Sequence, residues 1–416
     1  MTAAVRQQTG PAEGAAGSAV FWRYFTASAI SNTGSAVTTV ALPLIAVTAL
    51  HASNFQISLL TAAGNVAWLL VSLPAGVLAQ RLPLRGVQVS TDLTRALAIL
   101  SVPVAAAFGL LSLAQLVLVS LLVGIATVVF DVANSSFLPS IVPKEQLTAR
   151  NSLTSLSGAA TLLGGPALGG LLVQLVGGAA AMLADAVSYL ASAGLLRSLP
   201  AVPPSAPTTR QPFLEQIKEG LRFVGRHPVI RVCVLDATLI NFGCGALAAL
   251  VPVFLVRTLD APAGLVGLLM ATEGIGSVLM AARTPALGRR FGSARATVLA
   301  GCFAAGTAFL MPLAGPGWGL LVFALGNAGF SAGVVVTSIL TRTHRQTVTP
   351  PELLPRVMAS VRFISWGAIP LGALAAGAAA TAYGPRAALA LTCAAITLSP
   401  AVLLVSRVRH LREFTD

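Results

Sequence analysis

Five carboxylates stand inside long apolar stretches of this sequence: Asp92, Asp131, Asp185, Asp236 and Glu273. A charge in water-poor surroundings is costly, so such residues serve to pair, to move protons or to hold a charged ligand. Asp92 and Arg95, three apart in STDLTRA, share a helix face and read as a structural ion pair. Glu273 is roughly mid-way along its stretch, about 15 Å in by helical rise, where the neutral acid is the expected resting form. It is the leading candidate for a proton carrier or for contact with a cationic ligand. The competing reading is a protonated Glu hydrogen-bonded to a neighbouring helix. Asp236 and Asp131 are the other proton-carrying candidates, while Asp185 and Asp236 lie near enough to helix ends to be reached by water. Four uncharged residues complete the set: Asn32 and Asn241 as polar groups facing a shared cavity, and Trp68 and Trp366 as an aromatic wall for an apolar ligand.

These residues sit on apolar segments, each long enough to cross a bilayer as a helix of about 20 residues. Twelve are expected, near 22–49, 55–79, 87–108, 113–135, 150–176, 178–199, 229–256, 263–288, 294–314, 318–341, 355–381 and 385–406. Composition agrees, with 56% hydrophobic and 9% charged residues, against about 25% charged in soluble domains. All but Arg95, Arg257 and Arg386 of the 26 basic residues lie at the termini, in even-numbered connections or within about two turns of one. Lys- and Arg-rich short loops stay cytoplasmic, so both termini are expected there, in the plasma membrane. The net charge of +13 is thus a topology signal, and nucleic acid is not an expected partner because the basic residues do not cluster on one face. Trp22 and Trp318 read as interface anchors.

The longest polar connection, 200–228, opens Pro-rich and then spaces Phe213, Leu214, Ile217, Leu221 and Val224 as on one helix face. It reads as an amphipathic helix on the cytoplasmic membrane surface. It divides the chain into 1–199, with a cytoplasmic tail over 1–20, and 229–416. A shift of 209 residues lays Asn32, Gly34, Pro43 and Arg81 onto Asn241, Gly243, Pro252 and Arg290; further on, Pro166 answers Pro370. Six spans per half make the repeats parallel, and two-half proteins of this kind usually hold their site between the halves.

Three stretches carry a resemblance to a known family: GVLAQRLPLRG (76–86), DVANSSFLPSIVPKEQLTARNSL (131–153) and GGPALGG (164–170). Together they resemble the major facilitator superfamily, within it the drug:proton antiporter branch that includes macrolide and siderophore exporters. The resemblance covers all twelve spans and implies an all-α polytopic fold of two six-helix bundles. It further implies a gating loop in which Arg81 or Arg85 neighbours Asp131, and an antiporter motif at Gly165, Pro166, Gly169 and Gly170. There Gly165 and Gly169 admit a neighbouring helix, and Pro166 favours a bend. The chain departs from the pattern at Gln80, where the family carries Asp, and at Ser35, where exporters of this branch often carry an acid.

The implied function is export of amphipathic or hydrophobic small molecules by alternating access, in exchange for protons, by a monomer embedded in membrane lipid. The alternatives are a facilitator or importer of the same fold, or a nontransporting receptor. Motifs for ATP binding, zinc or an esterase elbow do not occur, so neither an enzyme nor a cofactor is expected. The four cysteines lack metal-ligand spacing and read as packing residues.

Overall fold

The computed structural model describes residues 11–81, 83–142, 147–200, 213–350 and 353–414. They form helices α1 (Pro11–Thr48), α2 (Asn54–Arg81), α3 (Leu84–Ala107), α4 (Leu113–Ile141), α5 (Leu147–Val176), α6 (Gly178–Arg197), α7 (Phe213–Arg226), α8 (Pro228–Arg257) and α9 (Ala263–Phe291), followed by α10 (Ser293–Ala308), α11 (Leu310–Leu313), α12 (Leu320–Val348), α13 (Leu354–Trp366), α14 (Ala368–Tyr383), α15 (Pro385–Ile396) and α16 (Leu398–Val405). Eleven helical stretches are long and apolar enough to cross a membrane, and Ala160–Val176 of α5 is a shorter apolar one. Three crossings are split in two, α10/α11, α13/α14 and α15/α16. Each split falls just before a proline, at Phe309, Gly367 and Thr397 ahead of Pro312, Pro370 and Pro400. A proline lacks the N–H that would bond the carbonyl four residues back, which frees the carbonyls of Ala308, Trp366 and Ile396. Pro166 behaves differently from its counterpart Pro370, since α5 continues through it as one helix.

The repeat is written in the contacts. Gly34 of α1 lies against Asp185 and Ser188 of α6, and Gly243 of α8 lies against Ile396 of α15. Gly165 of α5 touches Ala36 of α1, and Gly245 of α8 touches Ile369 of α14. Gly177 and Gly384, with φ of 83° and 82°, make the same one-residue turn into α6 and α15, a conformation open to glycine. The two large apolar clusters follow the same division. One gathers chiefly α1, α3, α4 and α6; the other gathers α8 to α15, with Val40 and Leu44 of α1 reaching into it.

The helix expected at the centre of the chain is α7, and part of it meets protein. Gly220 packs on Arg356 and Ser360 of α13, Val224 joins Val234, Val357 and Val361 in a small core, and Glu219 pairs with Arg356. Of the expected stripe, Val224 is buried while Leu221 is exposed, and Gly220 lets α13 approach closely. The side chains of Phe213, Leu214 and Ile217 lie outside the described residues.

Candidate functional site

Between the halves lies a cavity of about 550 Å³. Ser35 and Thr38 of α1, Asn65 and Trp68 of α2, Ser120 of α4 and Tyr189 of α6 line one side; Cys244 of α8, Glu273 of α9, Asn327 and Phe330 of α12 and Ile369 of α14 line the other. Among the lining residues Glu273 is the sole charged side chain. It is exposed to this space, so its carboxylate faces the cavity rather than a neighbouring helix. Its position is fixed through the backbone: Ser331 of α12 donates to the Glu273 carbonyl at 2.6 Å, and Asn327 donates to the Leu269 carbonyl at 3.3 Å and to Thr272 Oγ1 at 3.2 Å. These bonds tie α9 to α12 immediately around the acid.

The other carboxylates stand behind the cavity wall or beside it. Asp236 is buried and accepts from Ser399 Oγ of α16 at 2.5 Å. Asp185 is buried and accepts from Thr38 and Ser188. Asp92 and Arg95 form the expected buried pair, and the Arg95 guanidinium lies 4.4 Å from the ring centres of both Phe130 and Tyr189. The Tyr189 hydroxyl in turn meets Ser35 Oγ at 2.9 Å, so this buried group backs directly onto the cavity wall.

Three expectations are corrected. Arg85 donates to the Leu199 carbonyl at 2.7 Å, so it is engaged at the end of α6 and not with Asp131. Asp131 is exposed well inside α4, which runs on to Ile141, and feels Arg95 and Arg362 electrostatically instead. The side chain of Arg81 lies outside the described residues. Asn32 and Asn241 do not line the cavity; each sits three residues before the first lining residue of its helix, Ser35 or Cys244. That places both on the cavity-facing side, one turn nearer the termini, in equivalent places. Asn241 spends its amide on the Ala237 carbonyl at 2.8 Å.

Trp68 lines the cavity and Trp366 meets it edge-on from α13, with centroids 4.4 Å apart. Arg362, absent from the sequence-based candidates, lies over both rings at 5.5 and 5.0 Å. Its position four residues before Trp366 gave no signal beyond a basic residue near a span end.

The cavity is sealed at the end away from the termini. Arg257 donates to Asn54 Oδ1 at 2.5 Å and to the Ala52 carbonyl. Asn54 donates to the Ala380 carbonyl at 3.1 Å, and the Gly264 N–H donates to Gln174 Oε1 at 2.9 Å. Below these bonds the backbones of α5 and α9 touch: a Cβ on Gly170 would stand 2.5 Å from the Ala263 oxygen and 2.8 Å from Gly267 Cα. Gly165 and Gly169 face α1 instead, against Ala36 and Val37. The GPALGG stretch therefore joins α5 to one helix of its own half and one of the other. No metal-holding group of His, Cys, Asp or Glu occurs among the described residues.

Residues 16–415 match the family described as transmembrane secretion effector. The chain is 28% identical over 396 residues to the multidrug efflux pump Tap of Mycolicibacterium fortuitum, covering 92% of this chain and 95% of that one. It is 29% identical over 284 residues to the enterobactin exporter EntS of Shigella dysenteriae, covering 66% and 65% of the two chains. Among solved structures it shares its fold with the nucleoside transporter NupG, at TM-score 0.75 and 12% identity over 92% of this chain and 98% of that one. It also shares it with a bacterial homologue of the iron transporter ferroportin in an inward-facing state, at TM-score 0.71 and 18% identity over 93% and 98%. The all-helical architecture, with eleven stretches among the described residues able to cross a membrane, and these matches together place the chain in the transmembrane secretion effector family of the major facilitator superfamily, as a multi-pass membrane transporter and not an enzyme.

Proposed function

We propose that the protein exports amphipathic or hydrophobic small molecules across the plasma membrane by alternating access, in exchange for protons, with both termini and the 200–228 connection cytoplasmic. Export is supported by the similarity to a multidrug efflux pump and to an enterobactin exporter. The observation that carries the coupling is Glu273, one carboxyl exposed in a cavity otherwise lined by apolar and neutral polar groups. A carboxyl there can take a proton from whichever side the cavity opens to, and its charge state changes the attraction felt by a cationic or polar ligand group. Trp68, Phe330, Leu247 and Ile369 supply the surface for the apolar part.

With cytoplasmic termini, the sealed end is the outer one and the conformation described is open inward. Closure of the inner side would bring α4 and α13 together, and Asp131 with Arg362 is the pair placed to meet across that gap. Asp236, held by Ser399 away from the cavity, then serves packing of α8 on α16.

Everted membrane vesicles supplied from outside with dyes and antibiotics test this reading. Wild type should accumulate its substrate when an inward-acid gradient is imposed. Glu273→Gln keeps the shape but cannot ionise, and should lose gradient-driven accumulation while retaining substrate exchange at equal pH. Undiminished proton-driven accumulation by Glu273→Gln rejects the assignment.

A further inference from the structure

At the end of the molecule that carries the termini, far from the cavity, a group of buried polar atoms stands without partners. Arg345 and His344 in the last turns of α12 are 7% and 5% exposed, and Thr349 just beyond is 4% exposed. Among the described residues, Arg345 Nε and Nη1, both ring nitrogens of His344 and Thr349 Oγ1 find no hydrogen-bond partner. This is unlike the other deeply buried guanidinium, Arg95, which is met by Asp92. Among the described residues, the groups that Arg345 feels electrostatically are Cys233, His344 and Arg342, and none is a carboxylate. A buried cation left unpaired is strongly destabilising, so the arrangement calls for an anion.

The surroundings favour one. The His344 ring lies 5.9 Å from that of His227, and His227 opens the 30-residue helix α8, its Nδ1 accepting from the Ile230 N–H at 3.2 Å. The positive end of the α8 dipole is therefore turned to the same place. Arg231 and Arg342 flank it, both exposed. On the remaining side the segment after α16 brings in Phe414, 4.9 Å from His344. The acidic residue beside it, Glu413, is bonded to the Ser293 N–H at 3.0 Å and to Ser293 Oγ at 2.7 Å.

We propose that this cluster binds an oxyanion of the phosphate type, supplied either by an acidic lipid headgroup or by free phosphate. The planar fork of Arg345 matches two phosphate oxygens, and His344 and Thr349 each add a donor. The site closes the end of α12 at the boundary where the apolar span finishes, the depth at which headgroup phosphates lie. It is independent of substrate identity and of proton coupling.

The test uses the purified protein in nanodiscs of phosphatidylcholine, with inorganic phosphate titrated in, and in discs with a fraction of phosphatidylglycerol, reading the melting temperature. A rise with phosphate assigns a free anion; a rise only with phosphatidylglycerol assigns the headgroup. Arg345→Met should weaken the apparent affinity by at least about tenfold, the loss expected when charge-assisted bonds are removed. Thr349→Val, which keeps shape, should weaken it by a few-fold and decides the matter if Arg345→Met does not fold. No rise with either addition, or a rise undiminished in the variants, overturns the site.

Discussion

Replacing Gly170 with alanine should drive the protein out of the conformation described here. A Cβ at this position would stand 2.5 Å from the Ala263 oxygen and 2.8 Å from Gly267 Cα, where ordinary contact begins near 3.4 Å. Backbone atoms cannot rotate away, so α5 and α9 must part by nearly an ångström. Overfilling a packed contact of this kind costs about 1–3 kcal/mol. Alanine also favours the helix over glycine by about 1 kcal/mol, but that gain is present in every conformation and cancels from their ratio. The cost falls only on the state in which this seam is closed, so the population should move toward the opposite state by about 5- to 150-fold. Cys244 reports on it, since it lines the cavity, once Cys233, Cys302 and Cys393 have been replaced. An impermeant maleimide added to whole cells should label Cys244 at least about fivefold faster in Gly170→Ala than in its parent. Equal labelling rates at equal expression refute the idea that this backbone contact holds the outer side shut.

Two further outcomes follow from buried charge. Asp92→Asn leaves the Arg95 guanidinium unpaired between Phe130 and Tyr189 and should cost about 3–5 kcal/mol. It should lower the melting temperature of the purified protein, and adding Arg95→Met should recover much of the loss; a double variant no better than the single one contradicts the pairing argument. His227, which precedes α8, is pushed by burial below its ordinary value of 6.5. The unfolded chain then binds the proton more readily than the folded one. Its contribution is complete above about pH 6.5 and is lost as pH falls through that value toward the lower folded one. His227→Asn keeps an acceptor for the Ile230 N–H without titrating, and should flatten the fall in melting temperature between about pH 7 and 5.5; a slope equal to that of wild type excludes His227 as its source.

Sequence fixed the faces of these helices better than their depth. The shift of 209 residues put Asn32 and Asn241 on equivalent, cavity-facing stripes, but the cavity begins one turn further along. Where it begins depends on how far down α5 and α9 stay in contact, which periodicity along one helix does not encode. Glu273 and Trp68 stood out because a carboxyl or an indole mid-span is rare enough to mark a shared face, and both line the cavity. Asp131 stood out too; of its two expected neighbours the side chain of Arg81 lies outside the described residues, and Arg85 is engaged elsewhere. The loop signature pointed to Arg85, which is drawn instead to the Leu199 carbonyl, and Arg362 approaches from the other half of the chain, where no local pattern links them. Gly220 illustrates the same limit for α7, as its small size matters only because α13 lies against it.

The seam between α5 and α9 has a thermodynamic character of its own. It brings Gly170, Gly267 and Gly274 against bare backbone, with a polar bond, Gly264 to Gln174, at its rim. Hydrocarbon tails are as apolar as the glycine surfaces that part, so beyond the bonds at the rim it is close-range dispersion that must be overcome. The helices part within the bilayer, so the acyl chains around them must rearrange as water enters between the halves. Turnover should track the fluidity and thickness of the host bilayer, and a change in fatty-acid saturation acts on this protein as a change in solvent viscosity acts on a hinge in water.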